Sequence, residues 1–254
     1  MKGKNISIMT EKEEVKKYYD DFVAHQLDVS FNERHLLLFK ELKLIGLSAY
    51  STVLELGCGI GVMTSLISRQ ANHGLTEAVD ISPGSVAEAK KRVKRQNNVR
   101  FVVADLKHFE SSRTDFDIIT LLDVLEHIPE EEHTDLFVKI SKLMHRQSVF
   151  FISIPTPDSI VYEKLHFPEN VQIIDQELSA EILITRAYQA GLELDFFRTT
   201  GIWATNDYHL LAFRKKVEYT NERISSKRSL IGKVFHRMML WKERRMLTHN
   251  YRLH

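Results

Sequence analysis

The chain has 254 residues, 35 Lys/Arg against 34 Asp/Glu, and one cysteine, Cys58. That length suits one α/β domain with additions and a sizeable core, and a lone cysteine excludes an intrachain disulfide or a multi-cysteine metal site, in keeping with a reducing compartment. The near-zero net charge hides a division: from Arg214 onward 12 Lys/Arg face 3 Asp/Glu, whereas residues 1–213 hold 23 against 31. An acidic body argues against a broad nucleic-acid surface, which works by neutralising phosphates. Met1 to Thr10 lacks the apolar stretch of a signal peptide, and no apolar run reaches the roughly 18–20 residues that span a bilayer. The expected location is therefore the cytoplasm.

In chain order, Thr10-x-x-Glu13 reads as a capping box opening a polar helix to about His25. Ser30-x-x-Glu33 repeats that signature, with Leu36, Leu37, Phe39 and Leu42 at roughly helical spacing. Strands and helices then alternate. Strand Val53–Leu56 precedes a helix from about Val62 to Ala71, and strand Glu77–Asp80 precedes Ser82-Pro83, an N-cap followed by proline at the first helical position. Arg100–Ala104 reads as a third strand and Asp117–Leu122 as a strand buried on both faces. A helix from near Glu131 carries Leu136, Phe137, Ile140, Leu143 and Met144 on one stripe. Strand Ser148–Ile154 follows, then a loop from Thr156 to Gln176 and a helix with Ala180, Leu183, Ile184 and Ala187 inward, stopped by Gly191. Two closing strands, Leu192–Thr199 and Thr205–Lys215, turn around Gly201. The alternation predicts a doubly wound parallel sheet with a terminal hairpin. The expected divisions are N-terminal cover helices over 1–50, the α/β domain over 51–216 and a basic helical extension over 217–254.

Glu55-Leu56-Gly57-Cys58-Gly59-Ile60-Gly61 joins the first strand to the first helix of the α/β domain. Glycines at alternate positions permit a close backbone approach and open onto a helix N-terminus. The spacing is not the dinucleotide pattern, whose third glycine would fall at Val62. Glu55-x-Gly57-x-Gly59-x-Gly61 resembles motif I of the class I S-adenosylmethionine (SAM) methyltransferases, and the resemblance extends from about Val53 to Lys215. It implies a Rossmann-like seven-stranded sheet that uses SAM and releases S-adenosylhomocysteine. It also implies roles along the cofactor. Gly57 and Gly59 would admit the methionine part, Glu55 would orient the loop, and Cys58 would be the small filler between the glycines. Asp80 would hold the ribose hydroxyls, with Ile81 against the adenine face; Asp105 would take the adenine amino group, with Leu106 beside it. Leu122-Asp123-Val124-Leu125-Glu126-His127-Ile128-Pro129 matches the motif after strand four in the form of small-molecule enzymes such as those of ubiquinone pathways. Leu122 would offer a carbonyl to the amino group, and Asp123 would lie near the sulfonium. Tyr18 and Tyr19 resemble N-terminal tyrosines that touch the cofactor carboxylate in some relatives.

Methyl transfer needs alignment, and a neutral hydroxyl acceptor must also lose a proton. His127 is the candidate base, since imidazole titrates in the working range; the alternative is that it anchors its loop. Tyr162 and His166 could face the acceptor, but an ordinary place on an amphipathic surface is the favoured reading for each. The expected acceptor is a small molecule, saccharide or lipid-linked intermediate, with oxygen ahead of nitrogen, and no metal-ligand spacing is convincing. A SAM-binding scaffold subunit is the competing class. In the tail, Ile231, Val234, Phe235, Met238 and Trp241 form an apolar stripe among Lys233, Arg237, Lys242, Arg244 and Arg245. Such a helix can pack on its own protein or on a homodimer partner, cover the active site, touch nucleic acid, or lie on the anionic inner membrane surface.

Overall fold

The protein is described by a computed structural model covering residues 31–111, 113–168 and 174–218, with Gly232, Val234, Arg237, Met238, Met239 and Trp241. The helix expected from Thr10 to His25, with Tyr18 and Tyr19, lies outside the described residues. The chain divides into two compact units, Met1–Lys216 and Val217–His254.

Helix α1 (Glu33–Leu44) opens the described part of the larger unit. Its cap is Asn32 rather than Ser30. The Asn32 side chain accepts from the His35 N–H while His35 Nδ1 accepts from the Asn32 N–H, so histidine fills the place glutamate usually takes in a capping box. Strands β1 (Thr52–Leu56), β2 (Leu75–Asp80) and β3 (Val99–Val103) alternate with α2 (Val62–Gln70) and α3 (Pro83–Arg92). Then come β4 (Phe116–Leu122), α4 (His133–Leu143), β5 (Met144–Pro155), α5 (Pro157–His166), α6 (Ala180–Gln189), β6 (Leu192–Thr200) and β7 (Tyr208–Lys215). Helix α5 corrects the expectation of a loop from Thr156 to Gln176. Thr156 accepts from the Ser159 N–H and Pro157 occupies the first turn, the same start signal as Ser82-Pro83 in front of α3.

The sheet order is β3-β2-β1-β4-β5-β7-β6, parallel except for β7, which runs antiparallel between β5 and β6. Side chains alternate across β5: Phe150, Ile152 and Ile154 join Phe137, Ile140 and Leu183 on one face, while Val149 and Phe151 join Leu38, Leu42, Met63 and Ile67 on the other. The strands are therefore covered on both faces, which is why they read as near-continuous apolar runs. Strand order reverses between β1 and β4, and the loops leaving the carboxyl ends of those two strands build the site.

Candidate functional site

The turn after β1 runs through three glycines with positive φ: Gly57 at 80°, Gly59 at 50° and Gly61 at 78°. A Cβ on Gly57 would collide with the Val124 side chain, and one on Gly61 would lie 2.7 Å from the Ala89 Cβ and 2.9 Å from its Cα. The glycines are thus demanded by the protein's own packing as well as by backbone conformation. Most of the loop amides are spent internally: Gly57 and Cys58 donate to the Val79 carbonyl at 2.8 and 2.9 Å, and Gly59 donates to Asp80 Oδ2 at 2.7 Å. The loop is a close-fitting cradle rather than a ring of vacant donors.

Acidic side chains surround it. Glu55 is buried and accepts from Thr64 Oγ1 at 2.6 Å. Burial pushes its carboxyl up to about 8 against the opposing Thr64 hydrogen bond, and the charge of Asp80 adds to the rise. Asp80 also accepts the Ser82 N–H at 2.9 Å, so its two oxygens bind the glycine loop to the start of α3. Burial raises the Cys58 thiol well above its ordinary range, with Asp80 and Glu55 reinforcing the shift, which leaves a small uncharged filler. Asp105 takes the Lys107 N–H at 3.0 Å, making it a turn former at the rim.

Asp123, directly after β4, has left-handed backbone at φ 56°, uncommon outside glycine. Its carboxylate is a junction of three elements: Ser153 Oγ of β5 donates to Oδ1 at 2.9 Å, Tyr208 Oη of β7 donates to Oδ2 at 3.1 Å, and the Arg34 guanidinium of α1 pairs with Oδ2. Burial, with Glu126 and Asp207 adding against the pull of Arg34, raises the Tyr208 phenol, so it remains a donor.

His127 ends a single 3₁₀ turn, Leu125–His127. Its Nδ1 lies 2.7 Å from the Ile174 carbonyl and 2.9 Å from Asp175 Oδ1, which makes Nδ1 the protonated nitrogen; Nε2 is 4.0 Å from Glu126 Oε1. Burial opposes the imidazolium, but Glu126, the Asp175 and Ile174 hydrogen bonds and the Asp175 charge outweigh it and raise the histidine. Burial likewise raises Glu126 against the pull of His127. Gln176 adds a stitch, donating its N–H to the Glu126 carbonyl at 3.0 Å and its side-chain amide to the Ile128 carbonyl.

These groups line one cavity of about 970 Å³. Glu55, Gly57, Cys58, Gly59, Asp80, Ile81, Asp105, Leu106, Leu122, Asp123 and His127 all reach its wall, so the structure brings together every described residue named as a cofactor contact or base. Tyr162 and His166 do not reach it. They stack on each other along α5 with ring centroids 4.1 Å apart and the tyrosine 55% exposed, the surface placement favoured for them over a place beside an acceptor. Sequence reasoning missed Arg34, Trp203, Asp175, Ser153 and Tyr208. Arg34, Asp175, Ser153 and Tyr208 are fixed by contacts between segments distant in the chain, which no local motif marks. Trp203 sits at the cavity wall, 59% exposed, on a loop where Asp207 accepts the N–H groups of Ile202, Trp203 and Ala204 at 2.7, 2.8 and 3.0 Å.

A cavity of this size holds a nucleoside with a small second molecule. A glycine cradle at a topological switch point, with a carboxylate near the end of β1 and another ending β2, fits the adenosyl cofactor that the resemblance implies. Residues 53–147 match the family model described as a methyltransferase domain. A trans-aconitate 2-methyltransferase of Escherichia coli (strain 55989 / EAEC) is 27% identical over 157 residues, covering 58% of this chain and 59% of that relative, so the match spans about three-fifths of its length. Among solved structures, magnesium protoporphyrin IX methyltransferase from Synechocystis PCC 6803 with bound SAM superposes with a TM-score of 0.61 at 16% identity, covering 84% of this chain and 100% of that one. The complex of DhpI with S-adenosylhomocysteine gives 0.60 at 17%, covering 82% and 98%. Sheet order, glycine turn and domain match agree: residues 53–147 match a methyltransferase domain, on the fold that class I SAM-dependent methyltransferases share.

Proposed function

We propose that the protein is an enzyme that transfers a methyl group from SAM to an oxygen of a small molecule. The observation that carries this reading is the convergence of Glu55, Asp80, Asp123 and His127 on one cavity beside the glycine cradle. Bound SAM supplies an electrophilic methyl carbon, and the chain's own task is to bind, align and manage a proton. Asp80, ending β2, has the position and the oxygen acceptors for a ribose diol, with Ile81 against the base. Leu106 and Asp105 stand at the adenine end, while Leu122 and Asp123 stand at the amino-acid end. Relatives named for trans-aconitate support a small-molecule acceptor, and trans-aconitate is the first compound to try.

In this reading His127 accepts the acceptor's proton at Nε2 while Asp175 and the Ile174 carbonyl hold Nδ1–H. A raised histidine must be deprotonated to work, so turnover rises with pH through a value above its ordinary 6.5. Asp175→Asn should move that rise to lower pH and slow kcat. The competing role, an anchor for residues 174–176, is favoured by the Gln176 bonds to the same turn. Single-turnover transfer by His127→Ala separates the two: a fall of roughly 100-fold or more fits a base, and less than about tenfold assigns the anchor. An acceptor that is already an anion would bypass the base and also show the small effect.

The basic tail belongs to this reading as a peripheral contact with an anionic membrane from the cytoplasmic side. Val234, Met238 and Trp241 share one face at i, i+4, i+7 and are 66%, 58% and 60% exposed, and the surrounding charge is positive.

A further inference from the structure

We propose that the Trp203 indole is the face on which the methyl acceptor stacks, and that the acceptor is a flat, conjugated or aromatic molecule. The inference rests on the SAM reading and adds to it the class of molecule that shares the cavity with the cofactor.

Sheet order separates the two ends of the cavity. Asp80 ends β2 and Asp105 follows β3, both on one side of the switch point between β1 and β4. Trp203 comes from the other side. Its loop leads into β7, whose first residue, Tyr208, pairs with Pro155 at the carboxyl end of β5 and reaches Asp123 with its hydroxyl. The indole therefore lines the cavity away from the adenine end, in company with His127, Ile128, Pro129 and Ile174.

The loop is fixed, whereas the ring is uncovered. Asp207 gathers the N–H groups of Ile202, Trp203 and Ala204. Thr156, at the start of α5, donates its N–H to the Asp207 carbonyl at 2.8 Å and its hydroxyl to the Asn206 carbonyl at 3.1 Å. On so constrained a backbone the indole has two side-chain torsions left to order, so a ligand that stacks on it loses little to ordering. Trp203 is nonetheless 59% exposed, a large apolar face turned to the cavity rather than to the core. That face selects by shape: a planar π system lies along it in offset contact, while a puckered saturated molecule touches it at a few atoms. A cation is also drawn to an indole, but the carboxylates that would share its charge are engaged. Asp175 holds His127, Asp123 holds Ser153, Tyr208 and Arg34, and Asp207 holds its three amides.

Calorimetric titration of the full chain loaded with S-adenosylhomocysteine tests this with two pairs of probes. One pair is trans-aconitate and its saturated counterpart propane-1,2,3-tricarboxylate; the other is 4-hydroxybenzoate and 4-hydroxycyclohexanecarboxylate. The wild type should bind at least one flat probe about fivefold or more tighter than its saturated partner. Trp203→Leu should weaken that flat probe by about fivefold or more and its partner by less than twofold, while Trp203→Phe keeps most of the preference. S-adenosylhomocysteine itself should bind every variant within about twofold of the wild type, since the indole stands away from the adenine end. In a Trp241→Phe background, which leaves Trp203 as the one tryptophan of the chain, the flat probe should quench its emission. No wild-type preference, an equal loss for both members of a pair in Trp203→Leu, or unchanged emission overturns the proposal. So does failure of both flat probes to bind, and tighter binding of choline than of either assigns the indole to a cation instead. Wild-type protein that binds no S-adenosylhomocysteine contradicts the underlying SAM reading.

Discussion

Glu55 shows how one buried carboxyl ties stability to function. Its pKa in the folded protein, about 8, stands above its ordinary 4.5, so between those values the folded state binds more protons than the unfolded one. Its contribution to stability is complete below the ordinary value and is lost as pH rises through about 8. Glu55→Gln keeps an acceptor for Thr64 and cannot ionise. Urea unfolding should find the variant and the wild type alike at about pH 4, and the variant more stable by a few kcal/mol at about pH 8, since each unit of separation is worth about 1.4 kcal/mol. Parallel pH curves would refute the assignment. Gly57 offers a second test. Gly57→Ala adds a left-handed backbone penalty to a collision with Val124, and should destabilise by about 2–4 kcal/mol in the same assay. The glycine spacing and the acid ending β2 are local patterns, so they were legible from the chain alone. The Asp123 junction was not, because Tyr208 and Asp123 are 85 positions apart and only the folding of β7 beside β5 brings them together.

Elements were readable where a start or stop signal and a buried stripe coincided. Helix α4 presents Leu136, Phe137, Ile140 and Leu143 to the core, and α6 ends before Gly191 at φ 76°. Helix α5 was missed because it buries only Ile160 and exposes Val161, Tyr162 and Leu165, so no apolar period announced it. Its Thr156-Pro157 start was the available signal. In α1 the paired Ser30 and Glu33 suggested a cap two positions early, whereas the first-turn N–H is satisfied by Asn32. The β6–β7 connection was placed correctly around Gly201, but its rigidity depends on Asp207 gathering three amide donors. Asp207→Ala should lower stability by about 1.5–3 kcal/mol and speed hydrogen exchange at the Ile202, Trp203 and Ala204 amides. Unchanged exchange there would show the loop is held by other contacts.

At the scale of the whole molecule, the sequence division of charge coincides with a structural one. Acidic residues predominate around a cavity suited to a cationic cofactor, and the separate compact unit Val217–His254 carries a net positive charge, 9 Lys/Arg against 3 Asp/Glu. No described helix is long and apolar enough to cross a membrane. The full chain should sediment with vesicles containing phosphatidylserine at low salt and release as ionic strength rises, while neutral vesicles leave it in solution. Absence of sedimentation with the anionic vesicles would remove the membrane role and leave packing against protein as the tail's function. The central claim concerns the other unit. Titrating the purified protein with S-adenosylhomocysteine in a calorimeter, in parallel with NAD, tests it most directly: the account predicts saturable one-site binding of the first and none of the second, with the affinity reduced at least tenfold by Asp80→Ala. Heat from NAD alone, or from neither compound, would contradict it.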